Sequence, residues 1–318
     1  MANRKVLIVK TGFSEFLDRG ISTTVSLGDV LICTAILHLY KEDRVTWVTA
    51  WQARRLLEGN PYIHQLLVFG TSALEEIAGQ SFDLLINLEK DIGICTFLNR
   101  VNAGQKYGFY FDDETHSIRT RNPATEYLLS GQENHRDIHK NALELLYEAL
   151  DQKWQGQGLV LTDARLPDGQ GRPGKDLCDI GFNHAVGSKW PTKAWPMSHW
   201  KSLQKLLETE YTVSWQQGHE DLEQYIQWIN SCRVIVTSDS LGQAIGQALG
   251  KKVITLYGPT NHLRMQGIPN VEVMASDLKC PCMPCYMPVC QFDRFCMEYI
   301  LPEAVARRCQ EYLKCAVS

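Results

Sequence analysis

No stretch of the sequence approaches the ~18 consecutive apolar residues that a bilayer-spanning helix requires. The opening "MANRKVLIVKTGF" has basic residues followed by only a handful of apolar ones, too few for a secretory signal. A soluble, cytoplasmic protein with no transmembrane segment is therefore expected, with peripheral contact at an inner membrane left open. A basic surplus is also missing. The formal net charge of −4 gives no reason to expect a nucleic-acid partner. No short repeat and no low-complexity tract interrupts the chain, which sets repeat arrays aside.

What is present is ordinary for a globular protein, with 44% hydrophobic and 21% charged residues. A length of 318 residues exceeds what one core usually holds, so two domains are expected. "KVLIVK" at 5–10 reads as a buried parallel strand and Val30 to Tyr40 as the helix after it. "VTWVTA" (45–50), "HQLLVF" (64–69) and "FDLLINL" (82–88) continue the strands, and a long helix is expected around "NHRDIHKNALELLYEALDQKW". The Gly- and Pro-rich stretch at 157–175 is the linker candidate, closing an N-terminal domain of residues 1–156. A second alternating series then fills 176–301, with strands at 177–187, 211–215, 233–238 and 251–258. Strands alternating with helices predict a parallel α/β sheet in each half, with a cleft between the halves for ligands.

Candidate chemistry sits in a few loops. In "SLGDVLICTAIL", Asp29 stands where either a helix cap or a working carboxylate would stand. In "GSKWPTKAWPMSHW", Lys193 reads either as a solvated surface lysine or as a point charge for a phosphate. Asp239 and Ser240 fit N-cap positions, and the amides behind them could bind a diphosphate or a ribose hydroxyl. "LYGPTN" ends a strand in Gly258, which permits close ligand approach, then Pro259 and Thr260. Turn chemistry alone would also explain that triplet.

The order and spacing of these stretches resemble glycosyltransferase family 9, whose best-known members are ADP-heptose:lipopolysaccharide heptosyltransferases. The matching stretches are "VLIVKTG…SLGDVLICTAIL", "GSKWPTKAWPMSHW", "TSDSLGQAIGQALGKKVITLYGPTN" and "CPCMPCYMPVCQFDRFCMEYILPEAVA". The resemblance implies an α/β fold of two Rossmann-like domains facing a cleft, the GT-B type. It implies a nucleotide-sugar donor on the C-terminal domain and an acceptor held mainly by the N-terminal one. Asp29 then matches the family's catalytic base and Lys193 its donor-phosphate lysine. Asp239 and Ser240 match donor-site residues, and Ser188, Gly258 and Thr260 lie in donor-side loops. Inverting transfer needs one base for the acceptor hydroxyl and positive potential on the leaving diphosphate, and no cofactor is required for that chemistry.

Three features depart from the family pattern. About a dozen extra residues, "FSEFLDRGISTT" (13–24), precede the Gly-Asp turn, as an acceptor-shaping lid or as a tolerated loop. "DSLGQA" places Ala244 where the family commonly has His and shifts Gly242 by one. The stretch between "YTVSWQQGHE" and "INSCRVIV" is compact.

Five of the eleven cysteines crowd between 280 and 296. Cys282, Cys285, Cys290 and Cys296 have a plausible four-thiolate spacing for structural zinc or iron, with Cys280 spare, or they are simply reduced thiols. Cys33, Cys95, Cys178 and Cys232 read as small core residues. His199, His219 and the tryptophans at 190, 195 and 200 read mainly as scaffold. Glu220 reads as an exposed helix start or as a contact for a donor ribose or base, and "DDETH" (112–116) as a polar acceptor-side loop. The C-terminal helix from Pro302 is expected to fold back on the first domain. The sum is an inverting transferase that moves a sugar, with heptose from ADP-heptose as first choice, to a glycan, lipid-linked or protein acceptor. The rivals are a non-catalytic nucleotide-sugar-binding homologue and an epimerase on the same fold.

Overall fold

The computed structural model describes residues 3–16, 22–130, 139–161, 178–218, 220–278, 280–292 and 295–315. The chain divides into two compact units, Met1–Thr162 and Asp163–Ser318. No helix among the described residues is long and apolar enough to cross a membrane.

The first unit is built on a six-stranded sheet. Its strands are β1 (Lys5–Val9), β2 (Arg44–Thr49), β3 (Gln65–Val68), β4 (Ser81–Asn87), β5 (Asn102–Asp112) and β6 (Ser117–Thr120). They lie in the order β3-β2-β1-β4-β5-β6, parallel except for the β5–β6 pair. β1 is central, and Val6 to Val9 are buried because helices must cover both faces of such a sheet. The helices are α1 (Leu27–Cys33), α2 (Arg54–Leu57), α3 (Thr71–Ala78), α4 (Ile92–Arg100) and α5 (Ala142–Glu148).

α1 starts three residues earlier than its apolar pattern suggests, then tightens into a 3-10 helix over Thr34–Leu39. Thr34 sits at the change. Its hydroxyl donates to the Leu31 carbonyl (2.6 Å) and accepts the Val160 amide (2.9 Å). Val160 is therefore packed within the unit, as are Leu159 and Leu161, so the first part of the expected linker is structural; the rest lies outside the described residues. The expected long helix around residue 145 is short among the described residues. A capping box between Asn141 and Glu144 starts it, and it ends before Asp151, which has φ +55°.

β5 and β6 have no counterpart in the sequence reading, and "DDETH" is the turn that joins them. β5 bends at Gly108, which has φ +82°; a Cβ there would stand 1.9 Å from the Asn87 carbonyl oxygen.

The second unit carries a five-stranded parallel sheet in the order β11-β10-β9-β7-β8. Its strands are β7 (Cys178–Asn183), β8 (Val213–Trp215), β9 (Cys232–Ser238), β10 (Lys252–Tyr257) and β11 (Val271–Ala275). Helices α6 (Met197–Leu207), α7 (Leu222–Asn230), α8 (Leu241–Ala248) and α9 (Pro302–Cys315) pack on it. Val305, Ala306, Cys309 and Leu313 of α9 join Trp195, Trp200 and Leu203 in one buried cluster over β9 and β10. α9 thus packs its apolar face within the second unit's core.

Candidate active site

In an open α/β sheet, ligands bind beyond the carboxyl ends of the strands, where the strand order reverses. In the first unit that point lies between β1 and β4. Lys10 follows β1 directly and Glu89 follows β4 by two residues; both are fully buried, at 0% exposure.

Lys10 Nζ lies 2.7 Å from Asp29 Oδ2 and 3.3 Å from Glu89 Oε1. It also donates to the carbonyls of Ser14 and Leu88. Burial by itself would lower the Lys10 pKa, but the Asp29 and Glu89 carboxylates outweigh it and push the value above normal, so the side chain is a cation. Glu89 Oε1 accepts the Thr11 and Gly12 amides, both at 2.8 Å. Its Oε2 accepts the Ser14 amide (3.0 Å) and hydroxyl (2.7 Å). One carboxylate thereby organises the whole turn after β1.

Asp29 is 6% exposed in the first turn of α1. It is not a helix cap, because the N-cap position belongs to Ser26 and no side chain caps the helix. Its Oδ2 accepts the Phe16 amide at 3.0 Å as well as the Lys10 ammonium. The start of the extra segment is thus seated on this carboxylate. Phe16 is buried and meets the Phe109 ring at 5.8 Å, while residues 17–21 lie outside the described set.

In the second unit the order reverses between β7 and β9. Asn183 ends β7, donating to the Thr237 (2.7 Å) and Ser240 (2.9 Å) hydroxyls and accepting from Tyr225 (2.7 Å). Ser240 holds the N-cap position of α8, yet its hydroxyl is used in this network and does not cap the helix. The α8 N-terminus therefore keeps its helix-end potential.

Lys193 Nζ is 2.8 Å from Asp239 Oδ2 and 3.2 Å from the Asp239 carbonyl. The lysine is thereby fixed and half-buried, which excludes the freely solvated reading. Burial would push the Asp239 carboxyl up, but Lys193 and Arg264 hold it below the ordinary carboxylate range. Thr260 is buried, with its hydroxyl beside the Asp239 carboxylate. Gly258 leaves room for Met297 and Cys296, whose sulfurs would lie 2.6 and 2.7 Å from an added Cβ. It therefore serves packing. Ser188 is exposed in a turn.

The Cys-rich segment folds over these loops. The Pro259 carbonyl accepts the Cys285 (2.9 Å) and Tyr286 (3.0 Å) amides, and the Tyr286 hydroxyl accepts the Asn261 amide at 3.0 Å. The Thr192 hydroxyl donates to the Met287 carbonyl at 2.5 Å, and Trp190 meets the Tyr286 ring edge-on at 6.2 Å. One segment so ties the Lys193 loop to the Thr260 loop.

Among the described residues, no group of three or more His, Cys, Asp or Glu side chains could hold a metal ion. Cys280 and Cys282 are paired with sulfurs 2.7 Å apart, whereas two thiolates on one tetrahedral ion at ~2.3 Å would stand about 3.8 Å apart. Cys290 is exposed and Cys296 is buried. The expected four-thiolate site is therefore not found among the described residues, although Cys285 also reaches the Cys282 thiol and Cys296 faces Cys285 and Cys290.

Lys10, Glu89, Arg264 and Tyr286 had no place in the sequence reading. Only Lys10 left a signal, as a lysine at the very end of a fully apolar strand. His199 (ring to the Glu298 carbonyl, 3.1 Å), Trp195 and Trp200 are scaffold. Glu220 is exposed before α7, and His219 lies outside the described residues.

Residues 216–295 match the model of glycosyltransferase family 9 (heptosyltransferase). No curated protein matches the sequence. Among solved structures, the glycosyl transferase family 9 protein from Veillonella parvula DSM 2008 has a TM-score of 0.68 at 18% identity, over 98% of this chain and 97% of its own. E. coli heptosyltransferase WaaC with ADP gives 0.65 at 15% identity, over 97% and 99%. The iron-containing dodecameric glycosyltransferase TibC from enterotoxigenic E. coli H10407 gives 0.60 at 11% identity, over 99% and 77%. The fold is that of GT-B-type heptosyltransferases, and the second unit carries the family 9 signature.

Proposed function

We propose that this family 9-like chain is an inverting glycosyltransferase in which Asp29 is the base and Lys193 neutralises the donor diphosphate. The observation that carries this reading is the position of the two ion pairs. Asp29–Lys10 and Lys193–Asp239 each lie beyond the carboxyl ends of the strands flanking the order reversal of their own sheet.

In the reaction, Asp29 takes the proton from an acceptor hydroxyl as its oxygen attacks the anomeric carbon. The bond from that carbon to the donor phosphate breaks, and the electron pair leaves with the nucleoside diphosphate. Lys193 and the uncapped α8 N-terminus stabilise the developing charge. Asp239 holds Lys193 in place, and donor phosphate must compete with it for the ammonium. Ser240, Ser188 and Thr260 remain donor-side candidates.

An adenine nucleotide sugar is the first donor to test, since the E. coli WaaC structures are described with ADP and with ADP-2-deoxy-2-fluoro heptose. ADP-heptose is proposed as donor and a bacterial glycan, such as lipopolysaccharide core, or a protein as acceptor. The test is a thermal-shift panel of nucleotides and nucleotide sugars, because a ligand that binds the native state raises its stability by RT ln(1 + [L]/Kd). Selective stabilisation by one nucleotide, followed by its release only when an acceptor is added, is the expected result. No shift with any adenine, uridine or guanine compound contradicts the proposal.

A further inference from the structure

The buried charge cluster at the end of β1 has three members, and the proposed chemistry uses only one. Removing an ion from water costs several kcal/mol even after relaxation. Lys10, Asp29 and Glu89 are all out of water, and their contacts are unequal.

Both donors to Asp29, the Lys10 ammonium and the Phe16 amide, reach the same oxygen, Oδ2. Among the described residues, no hydrogen bond reaches Oδ1. Oδ2 is thus anchored by two donors. Glu89 does not touch Asp29 through a hydrogen bond. It binds Lys10 from the other side and fixes the Thr11–Ser14 turn, whose Ser14 carbonyl is a further Lys10 acceptor.

We infer that Lys10 is a positioning residue for Asp29, holding Oδ2 so that Oδ1 faces the acceptor hydroxyl, and that Glu89 sets how strongly Lys10 does so. This inference rests on Asp29 being the base. The ionisable groups facing the pair are Lys10 from β1, Glu89 from the end of β4 and the Cys33 thiol from α1. Burial pushes that thiol well above its ordinary value, so it stays neutral.

The two carboxylates compete for one ammonium. Losing Lys10 should therefore free Asp29 Oδ2 and misplace the base, whereas neutralising Glu89 leaves the ammonium to Asp29 alone. A purely structural role for Lys10 predicts lost stability with kcat unchanged in the folded variant.

The experiment measures kcat, KM and nucleotide affinity of the full chain with ADP-heptose for Lys10→Met, Lys10→Arg and Glu89→Gln. In Lys10→Met kcat is expected to fall at least ~10-fold with donor KM and nucleotide affinity unchanged, and Lys10→Arg, which keeps the cation, is expected to restore part of it. Should Lys10→Met fail to fold, a changed kcat at unchanged KM in Lys10→Arg and Glu89→Gln decides instead. A wild-type kcat in the folded variants, or a loss of nucleotide affinity in step with kcat, overturns the inference. Full turnover in Asp29→Asn would instead remove the base itself, a separate failure.

Discussion

Lys10 Nζ stands 2.7 Å from Asp29 Oδ2, with the lysine fully buried and the aspartate 6% exposed. A pair in that setting contributes little net stability while intact, yet breaking it leaves an uncompensated charge in a medium that solvates it poorly. Lys10→Met leaves two such charges, Asp29 and Glu89. It should cost about 3–5 kcal/mol, the usual penalty for removing one partner of a buried pair. Urea unfolding should show the loss as a lower midpoint at unchanged slope.

Lys193 and Asp239 give a prediction that depends on pH. The Asp239 pKa is lowered in the folded chain, so its contribution to stability is fully present above the unfolded value of ~3.9. The contribution is lost as pH falls through the folded value. Asp239→Asn should therefore flatten the acid side of the stability curve below about pH 4 and leave the slope between pH 5 and 8 unchanged. Thermal melts across that range check it.

Much of the fold was legible because buried parallel strands are written as predominantly apolar runs. β1, β2, β4, β9 and β10 all read this way. β5 was missed because its first half, "NAGQK", is polar and half-exposed. β11 was missed because it is a short edge strand with no fully buried residue. Asp29, Lys193 and Asp239 were singled out because each belongs to a stretch with recognisable neighbours. Glu89 was not, since its partners are backbone amides 75 or more residues away, which no local pattern records. The cysteine spacing fixes only how far apart thiols are in sequence, and the fold sets Cys280 and Cys282 with sulfurs 2.7 Å apart, with Cys285 also at the Cys282 thiol.

Gly258 should resist substitution. In Gly258→Ala the new methyl would meet the Met297 and Cys296 sulfurs at 2.6 and 2.7 Å, both inside the second unit's core. Overpacking of this kind costs about 1–3 kcal/mol. Because the same residues carry the segment that ties the Lys193 and Thr260 loops, nucleotide affinity should fall together with the melting temperature. Calorimetric titration beside a melt measures both.

Tyr286→Phe isolates that tie more gently. It removes one oxygen and leaves the buried Asn261 amide without its acceptor, a loss of about 1–3 kcal/mol. The edge-on contact with Trp190 is retained, so the fold should hold while nucleotide binding weakens. Unchanged affinity would show that the segment does not support the donor loops.

The central claim is that Asp29 acts as the base, and one comparison reaches it directly. Asp29→Asn keeps the shape and the Phe16 contact but removes the charge. The wild-type chain and this variant should bind the donor nucleotide with the same affinity, while the variant's kcat for sugar transfer falls by roughly 10²–10⁴-fold, the contribution of a positioned general base. Donor binding intact and transfer undiminished in Asp29→Asn would contradict the account.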